Sequence, residues 1–187
     1  MGLIALSDIA RPDVDAVTGF ISELGERGSA TESIMRWAGF GFTGLLYVCF
    51  AAALPSAVPS RGRTLIVALF VAVDGLGRAG AGLYPCDPGC EGGSRDQELH
   101  RLFATVAFCS GILAALADGA LFRRRFAAAM GVSATIFLLL MTWSDNPLDA
   151  HGLFERLATG ALSLWMLVFA TRMLRWPNSR PGRPARR

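Results

Sequence analysis

The sequence predicts an all-α bundle of five transmembrane helices, with its amino terminus outside and its carboxyl terminus in the cytoplasm. Three observations carry the prediction. Hydrophobic residues make up 52% of the chain and charged residues 18%, with a mean hydropathy of +0.42, unlike a soluble chain of this size. The charges gather between apolar runs rather than alternating through them. Five of those runs approach the ~20 residues that a helix needs to cross the hydrocarbon of a bilayer. A soluble bundle with buried central helices would show polar stripes at helical period, and these runs show none.

Residues 1–36 are expected to form an extracytoplasmic segment. Asp8, Asp13, Asp15, Glu23, Glu26 and Glu32 outnumber Arg11, Arg27 and Arg36 there, so the next helix can carry this short acidic stretch across. The string LIAL is too short for a signal-peptide core, and no charged region precedes it. The spans follow at 37–54, 64–84, 102–122, 126–143 and 153–174, inside a bundle that occupies 37–176. Ser29-Ala-Thr-Glu32 and Ser94-Arg-Asp-Gln97 fit the capping box and place helix starts before the first and third spans. Asn146-Pro147 suits a cap followed by a first helical residue. Pro55 and Pro177 are expected to end the first and last helices. Trp37, Trp143 and Trp176 read as interfacial anchors. Residues 177–187 read as a basic, disordered cytoplasmic tail near anionic lipid.

Loop charge sets the orientation. Arg61 and Arg63, then Arg123, Arg124 and Arg125, then Arg172, Arg175 and the tail arginines fall on one side. The alternate loops are acidic or mixed, with Asp87, Glu91, Asp96 and Glu98 against Arg95, and Asp145, Asp149 and Glu155 against Arg156. Basic loops stay cytoplasmic, so residues 84–100 face outward and the protein is a multi-pass protein of the cell inner (plasma) membrane. With the arginines so arranged, the net charge of +3 implies no affinity for nucleic acid.

Cys86 and Cys90 flank Asp-Pro-Gly, a turn that brings two sulfurs together. On the outer side such a pair is expected as a disulfide; with no second cysteine pair, a zinc site is disfavoured. Cys49 and Cys109 fall inside spans and read as small apolar residues. Asp74 and Arg78 lie four residues apart within the second span, on one helix face. A charge at mid-bilayer costs about 2.5–3.5 kcal/mol and normally faces protein or water with a partner. Pairing with each other and lining a ligand site are both open to them. The surrounding DGLGRAGAG is rich in small residues that let a neighbouring helix come close. Asp118 is expected to pair with the arginines at 123–125.

Four short strings fall on the outward side: ISELG (21–25), YPCDPG (84–89), LH (99–100) and GLFER (152–156). In this order, with this spacing of spans, the chain resembles the bacterial and archaeal membrane proteins grouped as domain of unknown function 998, and more distantly the eukaryotic Frag1/DRAM/Sfk1 group. The resemblance covers nearly the whole chain from Ile21 onward. It implies a small polytopic bundle with no established activity, usually of six spans with the first before ISELG. Here five are visible: the chain is a five-span version, or a further span lies upstream.

The outer ends of several spans carry Glu23, Asp87, His100, His151, Glu155 and Arg156, with Arg78 below them. Neighbouring helices of a bundle lie 8–10 Å apart, so such residues can share one pocket. No HExxH, GxSxG or P-loop spacing occurs. The expected function is therefore non-enzymatic and cofactor-free, with Glu23, Asp74, Arg78, Asp87, His100, Glu155 and Arg156 binding a polar lipid headgroup or a partner. The alternative is an outer-leaflet lipid-modifying hydrolase using a divalent metal on His100, His151 and Asp87. A transporter is disfavoured because five spans show no inverted repeat, unless the chain forms a homo-oligomer.

Overall fold

The structure is a computed structural model that describes residues 1–57, 61–143 and 147–175. The cap expected at Asn146, the anchor Trp176, the stop at Pro177 and the basic tail lie outside the described residues. Helix dominates the rest: α1 (Gly2–Ala10), α2 (Thr43–Ala57), α3 (Arg61–Leu83), α4 (Arg95–Phe122), α5 (Arg125–Thr142) and α6 (His151–Arg175). Short 3₁₀ turns at Ile21–Gly25 and Pro88–Cys90 punctuate the polar stretches, and a π-helical segment, Ile34–Phe42, runs directly into α2. Among the described residues, five helices are long and apolar enough to cross a membrane: Ile34–Ser56, Gly62–Leu83, Arg95–Phe122, Arg125–Thr142 and His151–Met173. The fold is thus the all-α, five-span bundle that the apolar runs predict, and it reads as a multi-pass membrane protein.

From α2 onward each helix packs on its neighbour in sequence, α2 on α3, α3 on α4, α4 on α5 and α5 on α6. The glycine-rich stretch of α3 explains how closely. A side chain at Gly75 would overlap the backbone of Gly44 on α2, and one at Gly77 would meet the backbone of Ala107 on α4 at 2.7 Å. Small residues at these crossings let helix backbones touch, which is how spans associate where lipid tails are as apolar as leucine. Leu69, Leu76, Ile136, Leu139 and Leu167 stay exposed, as a lipid-facing surface requires.

The end of the bundle that carries Arg63 and Arg123–Arg125 is packed with aromatic side chains. Phe50 of α2 meets Phe169 of α6 edge-on at 5.8 Å, and Trp165 stacks on Phe169 at 5.5 Å. The buried Asp118 accepts from the Trp165 indole N–H at 3.2 Å and pairs with Arg124 at 2.8 Å, the partner its position predicts.

Two local expectations are corrected. Helix α2 does not stop at Pro55 but continues through it to Ala57. So near a helix end, the missing proline N–H removes one hydrogen bond and the turn persists. At the start of the first span the Ser29 side chain caps no helix: its hydroxyl donates to the Leu24 carbonyl, and Glu32 reaches back one residue further, to the Gly28 N–H at 2.7 Å. The Ser94 cap forms where expected, accepting from the Gln97 N–H at 3.1 Å.

Residues 1–33 fold over the opposite end of the bundle as a cover. A small core joins it to the π segment: Val14, Ile21 and Leu24 bury against Met35, with Ile4 and Phe40 packed against them. Leu24 and Met35 are fully buried, and each such side chain contributes about 1.5–3 kcal/mol of burial. Arg11 knits the cover together, pairing with Asp13 and with Glu26 at 2.8 Å and donating to the Glu23 carbonyl.

Candidate functional site

The four strings ISELG, YPCDPG, LH and GLFER meet in space where the cover docks. The Ile21 N–H donates to the Glu155 carboxylate at 2.6 Å, and the Leu153 N–H donates to the Val17 carbonyl at 2.9 Å. Arg156 is consumed by the same docking: it pairs with Asp8 at 2.6 Å and donates to the Gly19 carbonyl at 2.7 Å. Gly152 is required there, since a side chain on it would collide with Gly19. From the 84–94 loop, the Cys86 carbonyl accepts from the Arg27 N–H at 3.0 Å and the Gly89 N–H donates to Glu26 at 2.5 Å.

That loop is held by its own polar set. The Cys86 and Cys90 sulfurs lie at disulfide-bonding distance, with Cα atoms 5.0 Å apart. Asp87 accepts from the Ser94 hydroxyl at 2.8 Å and from the Ser94 N–H at 3.1 Å. These bonds hold its carboxyl below the ordinary value. Buried Gln97 accepts from the Asp87 N–H and donates to the Cys90 carbonyl.

Beneath the cover, two adjoining cavities of about 400 and 500 Å³ penetrate the bundle. The first lies among the π segment, α2, α3, α4 and α6, and Met1 to Ile4 reach into its wall. The second runs between α4 and α5, where Thr105, Leu139 and Thr142 on its wall are also exposed on the bundle surface. Ser22, His100, Ala104, Phe108 and Glu155 line both.

Of the residues the sequence singled out, Arg78, His100 and Glu155 converge on this space. Asp74 is 1% exposed and binds the Arg78 Nε at 2.7 Å. Arg78 lies over the Tyr47 ring at 4.9 Å, and among the described residues no hydrogen bond reaches its two terminal nitrogens. Asp74 and Arg78 thus form an internal ion pair, and Arg78 also lines the first cavity.

Glu23, Asp87 and Arg156 line neither cavity: Glu23 and Arg156 build and fasten the cover, and Asp87 holds the 84–94 loop. The Glu23 carboxylate accepts from the Phe20 N–H at 2.7 Å, and burial raises its value above the ordinary one. His151 stands apart, with Nδ1 at 2.7 Å from the Met141 carbonyl and its ring beside Phe20. His100, His151 and Asp87 are not gathered into a metal-holding group, and among the described residues no three His, Cys, Asp or Glu side chains are.

His100 is the most constrained of these residues. It is 5% exposed; its Nδ1 lies 3.0 Å from the Ala81 carbonyl and 2.8 Å from that of Tyr84. Two acceptors at Nδ1 require the proton there, which leaves Nε2 as an acceptor. Nε2 lies 3.2 Å from the Ser22 hydroxyl. Ser22, and Tyr47 under Arg78, are site residues that reading the sequence missed. Serine in a polar loop carries no signal by composition, and only its place inside ISELG marked the spot.

No curated protein and no solved structure matches the chain. The family model described as a protein of unknown function (DUF998) matches residues 1–172. Nearly every residue named above lies within that match, and the chain belongs to the DUF998 family.

Proposed function

We propose that this protein binds an amphiphile of the membrane, its oxygen-rich head placed against Arg78 under the cover and its chain along the apolar walls of α4 and α5. The observation that carries this is Arg78: a guanidinium neutralised by Asp74, with no hydrogen bond on its terminal nitrogens among the described residues, on the wall of a cavity otherwise rich in apolar side chains. Guanidinium nitrogens in a dry site select phosphoryl, carboxyl or ester oxygens. The combined space is of the size that takes one small organic ligand or part of a lipid. With the basic loops cytoplasmic, the head sits in the outer leaflet.

The test is native mass spectrometry on detergent-purified protein incubated with dioleoyl phosphatidylglycerol or, separately, dioleoyl phosphatidylcholine. Wild-type protein is expected to retain one lipid. The Asp74→Asn/Arg78→Gln double variant, which keeps a hydrogen-bonding pair without buried charge, is expected to retain about tenfold less or lower, since a charge-assisted bond of this type contributes about 1.5–3 kcal/mol. Equal retention in both proteins sinks the proposal.

A further inference from the structure

We propose that Ser22 and His100 form a nucleophile–base pair that cleaves an acyl ester, with the cavity ligand as its substrate; this rests on the binding reading above. His100 has the tautomer the chemistry needs. Its Nδ1–H is fixed by the carbonyls of Ala81 and Tyr84, and its Nε2 lone pair faces the Ser22 hydroxyl at 3.2 Å. Backbone carbonyls thus fill the orienting place that a carboxylate holds in a triad. The imidazole is 5% exposed, so it is shielded from bulk water, while Ser22 is half-buried and lines both cavities.

A serine that only fastened the cover would have no need of this position. The cover is already tied to α6 and to the 84–94 loop by Arg156–Asp8, Leu153–Val17 and Arg27–Cys86. Ser22 instead lines both the cavity that holds Arg78 and the one that runs between α4 and α5. An ester joining a head to an acyl chain belongs at that junction.

The step balances without a metal or redox partner. The Ser22 Oγ forms a bond to the ester carbonyl carbon while its proton passes to His100 Nε2. The tetrahedral adduct then breaks its bond to the alcohol oxygen, and His100 returns the proton to that oxygen. Water, the second reactant, attacks the acyl-serine as His100 Nε2 takes one of its protons; the bond from the acyl carbon to Ser22 Oγ then breaks while His100 returns that proton to Oγ, releasing the carboxylic acid and restoring both residues.

The experiment is labelling of the full-length protein in detergent with a long-chain alkyl fluorophosphonate, read by intact and peptide mass spectrometry. Wild-type protein is expected to gain one adduct, on the peptide containing Ser22. Ser22→Ala should gain none. His100→Asn retains an N–H for the Ala81 and Tyr84 carbonyls but lacks the base, and should label at least about 100-fold more slowly. Absence of a Ser22 adduct on wild-type protein, under conditions that fully modify a reference serine hydrolase, overturns the proposal. An equal rate in His100→Asn does so too. The wild-type result depends on no variant folding. If lipid retention depends on Arg78 but Ser22 is never modified, the esterase falls and binding stands. If Ser22 is modified but no lipid is retained, the binding reading falls instead.

Discussion

Glu23 shows how a single side chain can serve structure at a cost. Its carboxylate closes the turn at Phe20, but burial raises its value above the ordinary 4.5. The folded protein therefore holds that proton to higher pH than the unfolded chain does, and this group's contribution to stability falls as pH rises above 4.5. Glu23→Gln keeps the acceptor for Phe20 and removes the charge. We expect it to raise Tm by about 1–2 °C at pH 7, with the gain vanishing near pH 4, where both proteins are neutral at this position. Thermal unfolding at the two pH values checks it; a gain that persists at low pH would assign the effect to packing. Residues like Arg78 and Glu155 were legible because a charge inside or beside an apolar run is conspicuous. Arg156 was legible as a candidate and misplaced in role, because nothing in a linear sequence shows that Asp8, so distant along the chain, would occupy it. Ser22 was illegible for the opposite reason: a hydroxyl becomes chemical only when a base is brought to it.

At the scale of elements, span lengths follow from the thickness of hydrocarbon, so the five helices were legible almost to their ends. The π-helical stretch Ile34–Phe42 was not, since its wider turns answer to tertiary contact rather than to composition. Arg36 within it donates to the Gly82 and Leu83 carbonyls, satisfying the end of α3 from a neighbouring helix. The small-residue face of α3 was read correctly in kind, and the structure adds direction: Gly75 serves α2, while Gly77 and Gly80 serve α4. Gly77→Val would drive a branched side chain into the backbone at Phe103 and Ala107, and is expected to lower Tm by at least about 5 °C. Gly62→Val, at a position with open space around it, is the control and should shift Tm by no more than about 2 °C. Equal effects at the two positions would deny the close α3–α4 crossing.

For the whole molecule, the basic loops gathered at one end of the bundle are the ground for the proposed orientation, with that end in the cytoplasm. The cover and the 84–94 loop share one end, and Arg63 and Arg123–Arg125 share the other. In a background lacking Cys49 and Cys109, Gly93→Cys is expected to react with a membrane-impermeant maleimide on intact cells, and Arg63→Cys only after permeabilisation. The reverse pattern would invert the molecule and place the cavities in the inner leaflet. The two cavities also impose a shape on whatever fills them. One lies under the cover and the other leaves sideways between α4 and α5, with Ser22, His100 and Glu155 at the corner. For the lipid guest proposed above, a supple hydrocarbon tail passing from one cavity to the other at these shared residues is expected to be retained over a fused-ring sterol of similar bulk, which native mass spectrometry with the two ligands would read.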